Sequence, residues 1–192
     1  MIQAIFAFIW NIRGFGHDGR RQQIRDYLRL EDVDIVGLQE TIRQDFSIPE
    51  LQGLSRHSFV WHWLPANGLS GGILLGVKED TFEVEDMDRG EFFVSMLLTH
   101  RQSNLRWEVI IVYDPVDHRR SLAFLAELSA KVERCSTPVV VAREFNLIRA
   151  PEEKSSNIID FPRMRMFNDC IVDLALREIA RVGAVHVDQQ PG

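Results

Sequence analysis

The stretch Val139-Val140-Val141-Ala142-Arg143-Glu144-Phe145-Asn146-Leu147-Ile148-Arg149 decides the fold of this chain. Its β-branched apolar run predicts a buried strand that leads directly into a carboxylate and, two residues later, an amide. Side chains alternate along a strand, so Glu144 and Asn146 are predicted to point the same way. Two oxygen-bearing side chains at a strand end suit a hard cation such as Mg²⁺. Taken alone, the stretch fits better with two polar side chains that face water.

Composition sets the class of protein. The chain has 192 residues, of which 45% are hydrophobic and 26% are charged, and this predicts one globular domain over residues 1–192. No run of eighteen apolar residues is present, so no membrane span is expected. The apolar start Ile2–Ile12 lacks a basic leading segment and is typical of a strand rather than a signal peptide.

The net charge limits nucleic-acid binding, and the cysteine spacing argues against a cysteine-based metal site. The formal net charge of −6 disfavours non-specific nucleic-acid binding by the whole surface. A phosphate-bearing substrate would therefore need a local basic patch or a metal ion. The two cysteines, Cys135 and Cys170, lack metal-type spacing and are predicted to be free, partly buried thiols.

Two further apolar runs end in polar side chains. Ile2–Ile12 is predicted to be a buried strand, with Asn11 and Arg13 on one side of it. Val33–Thr41 is predicted to be a second buried strand, with Glu40 at its carboxyl end. These ends resemble the end of the strand at residue 139, because each carries an oxygen-bearing side chain.

The remaining elements complete the predicted fold. Further strands are expected at Phe59–Leu64, Ile73–Val77, Phe82–Glu85, Phe92–Leu98 and Trp107–Tyr113. Helices are expected at Arg20–Leu30, at Arg119–Arg134 and at Pro162–Val172, and Gln44–Ser58 is expected to be a loop. Asp160 is predicted to cap the last helix, whose inward side would include Met164, Phe167 and Ile171. The fold class is α/β, a four-layer α-β-β-α sandwich of two packed mixed sheets with helices outside.

The polar strand ends together predict a metal site. Asn11, Glu40, Glu144 and Asn146 follow three strands, and we expect them to meet around one point, as ligands of Mg²⁺ do. Such an ion would polarise a phosphate oxygen and stabilise charge on the leaving group. Tyr113, at another strand end, is placed to donate to the phosphate.

Four motifs in order carry a resemblance to a known family: Trp-Asn-Ile-Arg-Gly at 10–14, Gly-Leu-Gln-Glu-Thr at 37–41, Tyr-x-Pro at 113–115 and Phe-Asn at 145–146. This pattern resembles the endonuclease/exonuclease/phosphatase superfamily, and most closely the endonuclease domain of plant LINE-type (non-LTR) retrotransposons. Supporting stretches are Trp63-Leu64-Pro65-Ala66, Ser70-Gly71-Gly72-Ile73-Leu74, Phe92-Phe93-Val94-Ser95, Lys154 and Met164–Asp169.

The resemblance implies cleavage of phosphodiester bonds in DNA with Mg²⁺, or with Mn²⁺ as an alternative ion, and a nuclear location. By the same resemblance, Glu40 is the main metal ligand, and Asn11 lies near the metal and the phosphate. Tyr113 contacts the phosphate, Asn146 orients the phosphate or nucleophile, and Glu144 stands where an aspartate positions the attacking water. Arg13 is a candidate phosphate contact.

Three departures from the family pattern lower the expected activity. The family's Gly-Gly-Asp-Phe-Asn reads Ala142-Arg143-Glu144-Phe145-Asn146 here, which moves the carboxylate outward and adds a cation that competes with the ion. Asp114 replaces the middle residue of a Tyr-Gly-Pro-like turn, where we expect it to be exposed and harmless.

The third departure is the family's Ser-Asp-His strand, which does not occur before Gly192. We therefore expect a domain that lacks its C-terminal strands and has weak or no nuclease activity. Two alternatives stay open: a non-catalytic remnant that binds nucleic acid or a partner, and a phosphatase acting on a small phosphoester.

Overall fold

Two mixed four-stranded sheets form the centre of the protein. The computed structural model describes residues 4–68, 70–115, 117–142, 149–151 and 159–179. Within these ranges the strands are β1 (Ala7–Asn11), β2 (Ile35–Gln39), β3 (Phe59–Leu64), β4 (Ile73–Lys78), β5 (Phe82–Arg89), β6 (Phe93–His100), β7 (Arg106–Val112) and β8 (Val139–Ala142). The helices are α1 (Asp18–Leu30), α2 (Ile48–Gln52), α3 (Ser121–Arg134) and α4 (Phe161–Asp173), with a 3₁₀ turn at His118–Arg120 before α3.

Strand order explains why both sheets are mixed. The first sheet has the order β1-β2-β4-β3 and the second has the order β5-β6-β7-β8. β1 runs parallel to β2, and β7 runs parallel to β8, while the other neighbouring pairs are antiparallel. A helix lies between the members of each parallel pair along the chain, as a parallel connection requires.

Three apolar clusters separate four layers. One cluster lies between α1 and the first sheet and includes Ile24, Leu28 and Leu38. A second fills the space between the sheets, where Ile35 and Leu75 meet side chains such as Met96 and Ile111. The third packs α3 and α4 on the outer face of the second sheet. The predicted four-layer α-β-β-α sandwich is therefore confirmed. The predicted lack of C-terminal strands stays a prediction, and residues 180–192 lie outside the described part.

Gly37 sets how closely the two sheets approach. A Cβ atom at this position would lie 2.8 Å from Cδ1 of Ile9 and 2.9 Å from Cδ1 of Ile111. Those contacts are too short for a side chain, so only glycine allows both isoleucines to pack over β2.

The helix predictions hold with two corrections. Asp160 caps α4 as predicted, because its carboxylate accepts from the backbone N–H of Arg163 at 3.1 Å. On the inward face of α4, Met164 is only half-buried and lies outside the apolar cluster. Instead Met166, Phe167, Cys170 and Ile171 pack there.

The expected loop at 44–58 contains a short helix, α2. Ser47 caps it by accepting from the N–H of Glu50 at 3.3 Å, and Pro49 stands in its first turn. Both cysteines are free thiols, as predicted. Among the described residues, no helix is long and apolar enough to cross a bilayer.

Candidate functional site

The neighbouring parallel strands β1 and β2 end side by side at one edge of the first sheet. Asn11, the last residue of β1, pairs with Gln39, the last residue of β2. The pairing continues past the strands, with Ile12 N–H donating to Gln39 O at 3.0 Å and Gly14 N–H donating to Glu40 O at 2.8 Å. Asn11 and Glu40 are therefore held on adjacent segments at the carboxyl ends of their strands.

Both segments turn sharply as they leave the sheet. Arg13, Glu40 and Ile42 adopt left-handed backbone conformations, with φ of 47°, 52° and 51°. Non-glycine residues rarely adopt this conformation, and for β-branched Ile42 it is a clear outlier. Backbone strain of this kind concentrates at functional sites, where the surrounding structure maintains it.

The prediction that Arg13 shares a strand face with Asn11 is wrong. β1 ends at Asn11, and the left-handed turn at Arg13 breaks the alternation. The Arg13 N–H instead approaches the side-chain oxygen of Asn11 at 3.3 Å. The Arg13 side chain is exposed at the same edge of the sheet.

A buried glutamine connects this edge to the second sheet. Gln39 is only 3% exposed, and its side-chain amide donates to the main-chain carbonyl of Val112, the last residue of β7. The contact brings Tyr113, the residue after β7, to the edge that carries Glu40.

The ionisation of Tyr113 depends on its burial and on the charged side chains around it. Burial is the main cause that raises the pKa of Tyr113 above its usual value, and the Glu40 carboxylate raises it further. Arg120 acts in the opposite direction, and Asp114 in the same direction as Glu40. The hydroxyl of Tyr113 is therefore a proton donor at neutral pH, next to an anionic ligand position.

A glycine pair forms the wall between Glu40 and Tyr113. Gly71 and Gly72 accept backbone hydrogen bonds from Ile42 at 3.1 Å and Thr41 at 3.2 Å. Gly71 lies against the Tyr113 ring, since a Cβ there would be 3.5 Å from Cε1 of the tyrosine. Both glycines have positive φ, which other residues rarely adopt, so the turn is specific to glycine.

Asp114 is not exposed, contrary to the expectation from sequence. Its side chain is 1% exposed and pairs with Arg163 of α4, whose Nη2 lies 3.1 Å from Oδ1 and 3.0 Å from Oδ2. The same nitrogen donates to the Pro115 carbonyl at 3.2 Å. The extra carboxylate beside the site is thus neutralised by a cation from α4.

The strand β8 (Val139–Ala142) ends at the same edge. β8 runs parallel to β7, and its last residue, Ala142, pairs with Ile111. Glu144 and Asn146, together with Arg143, lie outside the described residues. The structure therefore brings Asn11, Glu40 and Tyr113 to one edge, with Arg13 nearby, and does not describe the other two predicted residues.

The described donors fit part of a hard-cation site. Asn11 and Glu40 offer an amide and a carboxylate oxygen, which is the ligand chemistry that Mg²⁺ takes while it keeps several waters. In the described ranges, no three His, Cys, Asp or Glu side chains come together as a metal-binding group. The described residues would thus hold such an ion through two side chains only.

Sequence reasoning missed three residues of this edge. Gln39 lies inside the Gly-Leu-Gln-Glu-Thr motif, but its bond to the Val112 carbonyl joins residues 73 positions apart and has no sequence signal. Gly71 lies in a glycine-rich turn that is visible in the sequence, but its contact with Tyr113 is not. Arg120 follows the Tyr-x-Pro motif, and only the fold shows that its charge acts on Tyr113.

Comparison with known proteins identifies the family of the chain. The family model described as "Endonuclease/Exonuclease/phosphatase family" matches residues 9–142, which span the site from β1 to the end of β8. The chain belongs to this family. Endonuclease/exonuclease/phosphatase proteins are hydrolases that generally use divalent metal ions. No curated protein matches the sequence.

Solved structures show the same fold. The AP endonuclease LMAP from Leishmania major superposes with a TM-score of 0.70 at 13% identity, over 88% of this chain and 66% of that one. The catalytic domain of Xenopus laevis APE2 gives 0.63 at 15% identity, over 85% and 66%. The mannosyl-6-phosphatase Bt3783 of Bacteroides thetaiotaomicron gives 0.53 at 12% identity, over 75% and 66%. This chain therefore spans slightly less than two thirds of the length of these relatives.

Proposed function

We propose that this chain is an endonuclease-like domain of LINE-type retrotransposon origin that hydrolyses phosphodiester bonds in DNA slowly. The observation that carries the proposal is the convergence of Asn11, Glu40 and Tyr113 at one edge of the sandwich. The origin rests on the four ordered motifs and on the family to which the chain belongs.

Each residue has a role that its chemistry allows. Glu40 and Asn11 would hold Mg²⁺, or Mn²⁺ in its place, through oxygen atoms. When bound, the ion polarises a phosphate oxygen and stabilises charge on the leaving group. Tyr113 donates a hydrogen bond from its protonated hydroxyl to the phosphate, and Arg13 contributes positive charge from the rim.

Two more roles fall on residues that follow β8. Glu144 is two residues beyond Ala142, a reach of about 7 Å along an extended chain, and Asn146 is two residues further. We assign to Glu144 the positioning of the attacking water and to Asn146 the orientation of phosphate or nucleophile.

The low rate follows from the sequence after Ala142. Glutamate carries its carboxylate one methylene further than the aspartate of the family pattern, and a misplacement of about 1 Å lowers a rate by about 100-fold. Arg143 adds a guanidinium that can pair with Glu144 or Glu40 and compete with the ion.

The test is the nicking of supercoiled plasmid with Mg²⁺. We expect slow nicking by the wild-type chain, loss of nicking in Glu40→Ala, and no change in the control Glu83→Ala, which alters an exposed carboxylate on β5. The combined change Arg143→Gly and Glu144→Asp restores the family pattern and should raise the rate by about 100-fold. Absence of Glu40-dependent nicking in this restored variant would refute the endonuclease proposal.

The same variants separate the two alternatives. Turnover of p-nitrophenyl phosphate without plasmid nicking would indicate a phosphatase, which is consistent with fold alone. Salt-dependent binding of duplex DNA without nicking, even in the restored variant, would indicate a binding remnant.

A further inference from the structure

Arg120 and Tyr113 both contact Phe92 at the edge of the site. The Tyr113 N–H donates to the carbonyl of Phe92 at 2.8 Å, and the guanidinium of Arg120 lies over the Phe92 ring, 5.0 Å from its centroid. Phe92 is buried, so one fixed residue positions both the tyrosine and the arginine. A planar guanidinium stacked on an aromatic face keeps its N–H edge free to bind in the plane of the group.

The turn that contains Glu91 and Phe92 is held against α3 by the carboxylate of Glu127. Glu127 accepts from two successive backbone N–H groups, those of Glu91 at 2.7 Å and Phe92 at 2.8 Å. Gly90 makes room for this contact, because a Cβ there would lie 2.3 Å from Oε1 of Glu127. The turn between β5 and β6 is therefore fixed to the helix that follows Arg120.

Arg120 forms an exposed ion pair with Glu91. The Arg120 Nη2 donates to Glu91 Oε1, while the side chains remain 45% and 62% exposed. An ion pair this exposed contributes little to stability, so a competing anion can replace Glu91 at little cost. A phosphate with two oxygens in one plane matches the guanidinium fork better than a single carboxylate oxygen does.

The site needs such a cation. The two carboxylates that act on Tyr113 are Glu40 and Asp114, and Arg163 already neutralises Asp114. A metal ion would neutralise Glu40, but the protein as a whole carries a net charge of −6. A polyanion that approaches this edge is therefore repelled unless local cations face it.

We propose that Arg120 is a phosphate contact of the site and that Glu91 is its internal competitor, displaced when a polynucleotide backbone binds. The inference rests on the proposed function, because it places a phosphodiester substrate at the Tyr113 edge. It assigns Arg120 to a phosphate flanking the scissile one, beyond the positions attributed to Asn11, Glu40 and Tyr113.

Arg119 offers a matched control for Arg120. It is the adjacent arginine, its side chain is 90% exposed, and it pairs with Asp117 at 3.0 Å. Changing either arginine to alanine alters the net charge equally, so only the position of the charge differs between the variants.

The experiment measures binding of a short DNA duplex by fluorescence anisotropy at several salt concentrations, with Ca²⁺ replacing Mg²⁺. We expect Arg120→Ala to weaken binding about tenfold and to reduce the slope of log K against log salt by about 0.9. We expect Arg119→Ala to change the dissociation constant by less than twofold and to leave the slope unchanged. We expect Arg120→Lys to keep the slope but bind more weakly, and Glu91→Gln to strengthen binding. Thermal unfolding of each variant checks that it is folded.

Equal effects of Arg119→Ala and Arg120→Ala, or no effect of Glu91→Gln, would overturn the inference. Arg120-dependent binding of p-nitrophenyl phosphate but not of the duplex would overturn its polynucleotide part. Failure of plasmid nicking is a separate result, because the binding measurement needs no turnover. Arg120-dependent duplex binding without nicking would support this inference while the endonuclease proposal fails.

Discussion

The side-chain amide of Gln39 and the main-chain carbonyl of Val112 form a buried hydrogen bond that joins the two sheets at the edge of the candidate site. Each partner is the last residue of its strand, and the next residues are Glu40 and Tyr113. The bond therefore fixes the distance between Glu40, the proposed metal ligand, and Tyr113, the proposed hydrogen-bond donor to phosphate. A single side chain couples the stability of the sandwich to the geometry of its site.

Replacing Gln39 by leucine should lower the stability of the protein and loosen the arrangement of Glu40 and Tyr113. The Val112 carbonyl would lose a buried partner, which costs about 1–3 kcal/mol of unfolding free energy. As the edge loosens, Tyr113 loses burial and moves away from Glu40, so its raised pKa should fall toward the usual value. The chain has only two tyrosines, so absorbance titration follows both. The pKa of Tyr27, raised by burial and then by Glu31, should not move.

Urea unfolding of Gln52→Leu is the matched control for Gln39→Leu, because Gln52 is exposed. An equal loss in the two variants would show that the buried amide has no special role.

Replacing Gly37 by alanine should destabilise the protein by overpacking. The new methyl group would lie 2.9 Å from Cδ1 of Ile111, and overpacked cores typically lose about 1–3 kcal/mol. Ile111→Val removes that Cδ1 atom and alone should cost about 0.5–1.5 kcal/mol. In the double variant the two losses should be less than additive, as measured by a double-mutant cycle in urea. Strict additivity would mean that the sheets do not meet at Gly37.

Breaking the buried pair between Asp114 and Arg163 should be strongly destabilising. Arg163→Met leaves the Asp114 carboxylate buried without its cation, a change that typically costs about 3–5 kcal/mol. Asp114→Gly restores the residue of the family pattern and, combined with Arg163→Met, should recover much of this loss. Arg165→Met, an exposed change on α4, is the control and should alter the unfolding free energy by less than about 0.5 kcal/mol.

Cys135 should be an unreactive thiol at neutral pH. Burial, and then the neighbouring Glu108 carboxylate at 2.9 Å, raise the pKa of this thiol from 9.0 to about 11. The thiolate fraction at pH 8 is then about 100-fold lower than for an ordinary thiol, and alkylation should slow accordingly. Glu108→Gln should accelerate alkylation of Cys135, mapped by mass spectrometry, whereas the exposed Glu83→Gln should not.

The same thiol gives a stability signature at high pH. Its pKa is higher in the folded than in the unfolded state, so the unfolded chain loses this proton first. Stability should therefore fall as the pH rises from 9.0 to about 11, and this loss should be smaller in Cys135→Ser.

Strand periodicity predicted the fold well because the inner strands of both sheets are covered on both faces. Phe59–Leu64 was predicted with its observed bounds, and the layer order followed from the continuous apolar runs. β5 extends four residues beyond the predicted Glu85, to Arg89, because it is an edge strand whose exposed side chains are mostly polar. The helix at 48–52 is hidden from sequence because Pro49 is typical of a loop, although Ser47 and Glu50 have capping spacing.

Sequence predicts the site residues that act alone at a strand end. It does not predict the contacts between residues that are distant along the chain. Asn11, Glu40 and Tyr113 follow strands, so their common edge could be inferred from topology. The contact of Asp114 with Arg163 spans 49 residues, and the side chains that surround a position are set only by tertiary packing. Backbone reversal at Arg13 has no sequence signal, since arginine rarely adopts positive φ.

The buried Asp114–Arg163 pair also constrains how these two positions can change during evolution. An aspartate could replace the small residue of the Tyr-x-Pro turn only in a chain whose α4 already offered a cation, or together with one. Related sequences should therefore carry both residues or neither, and a survey of position 114 against position 163 would date the exchange relative to the change at 144.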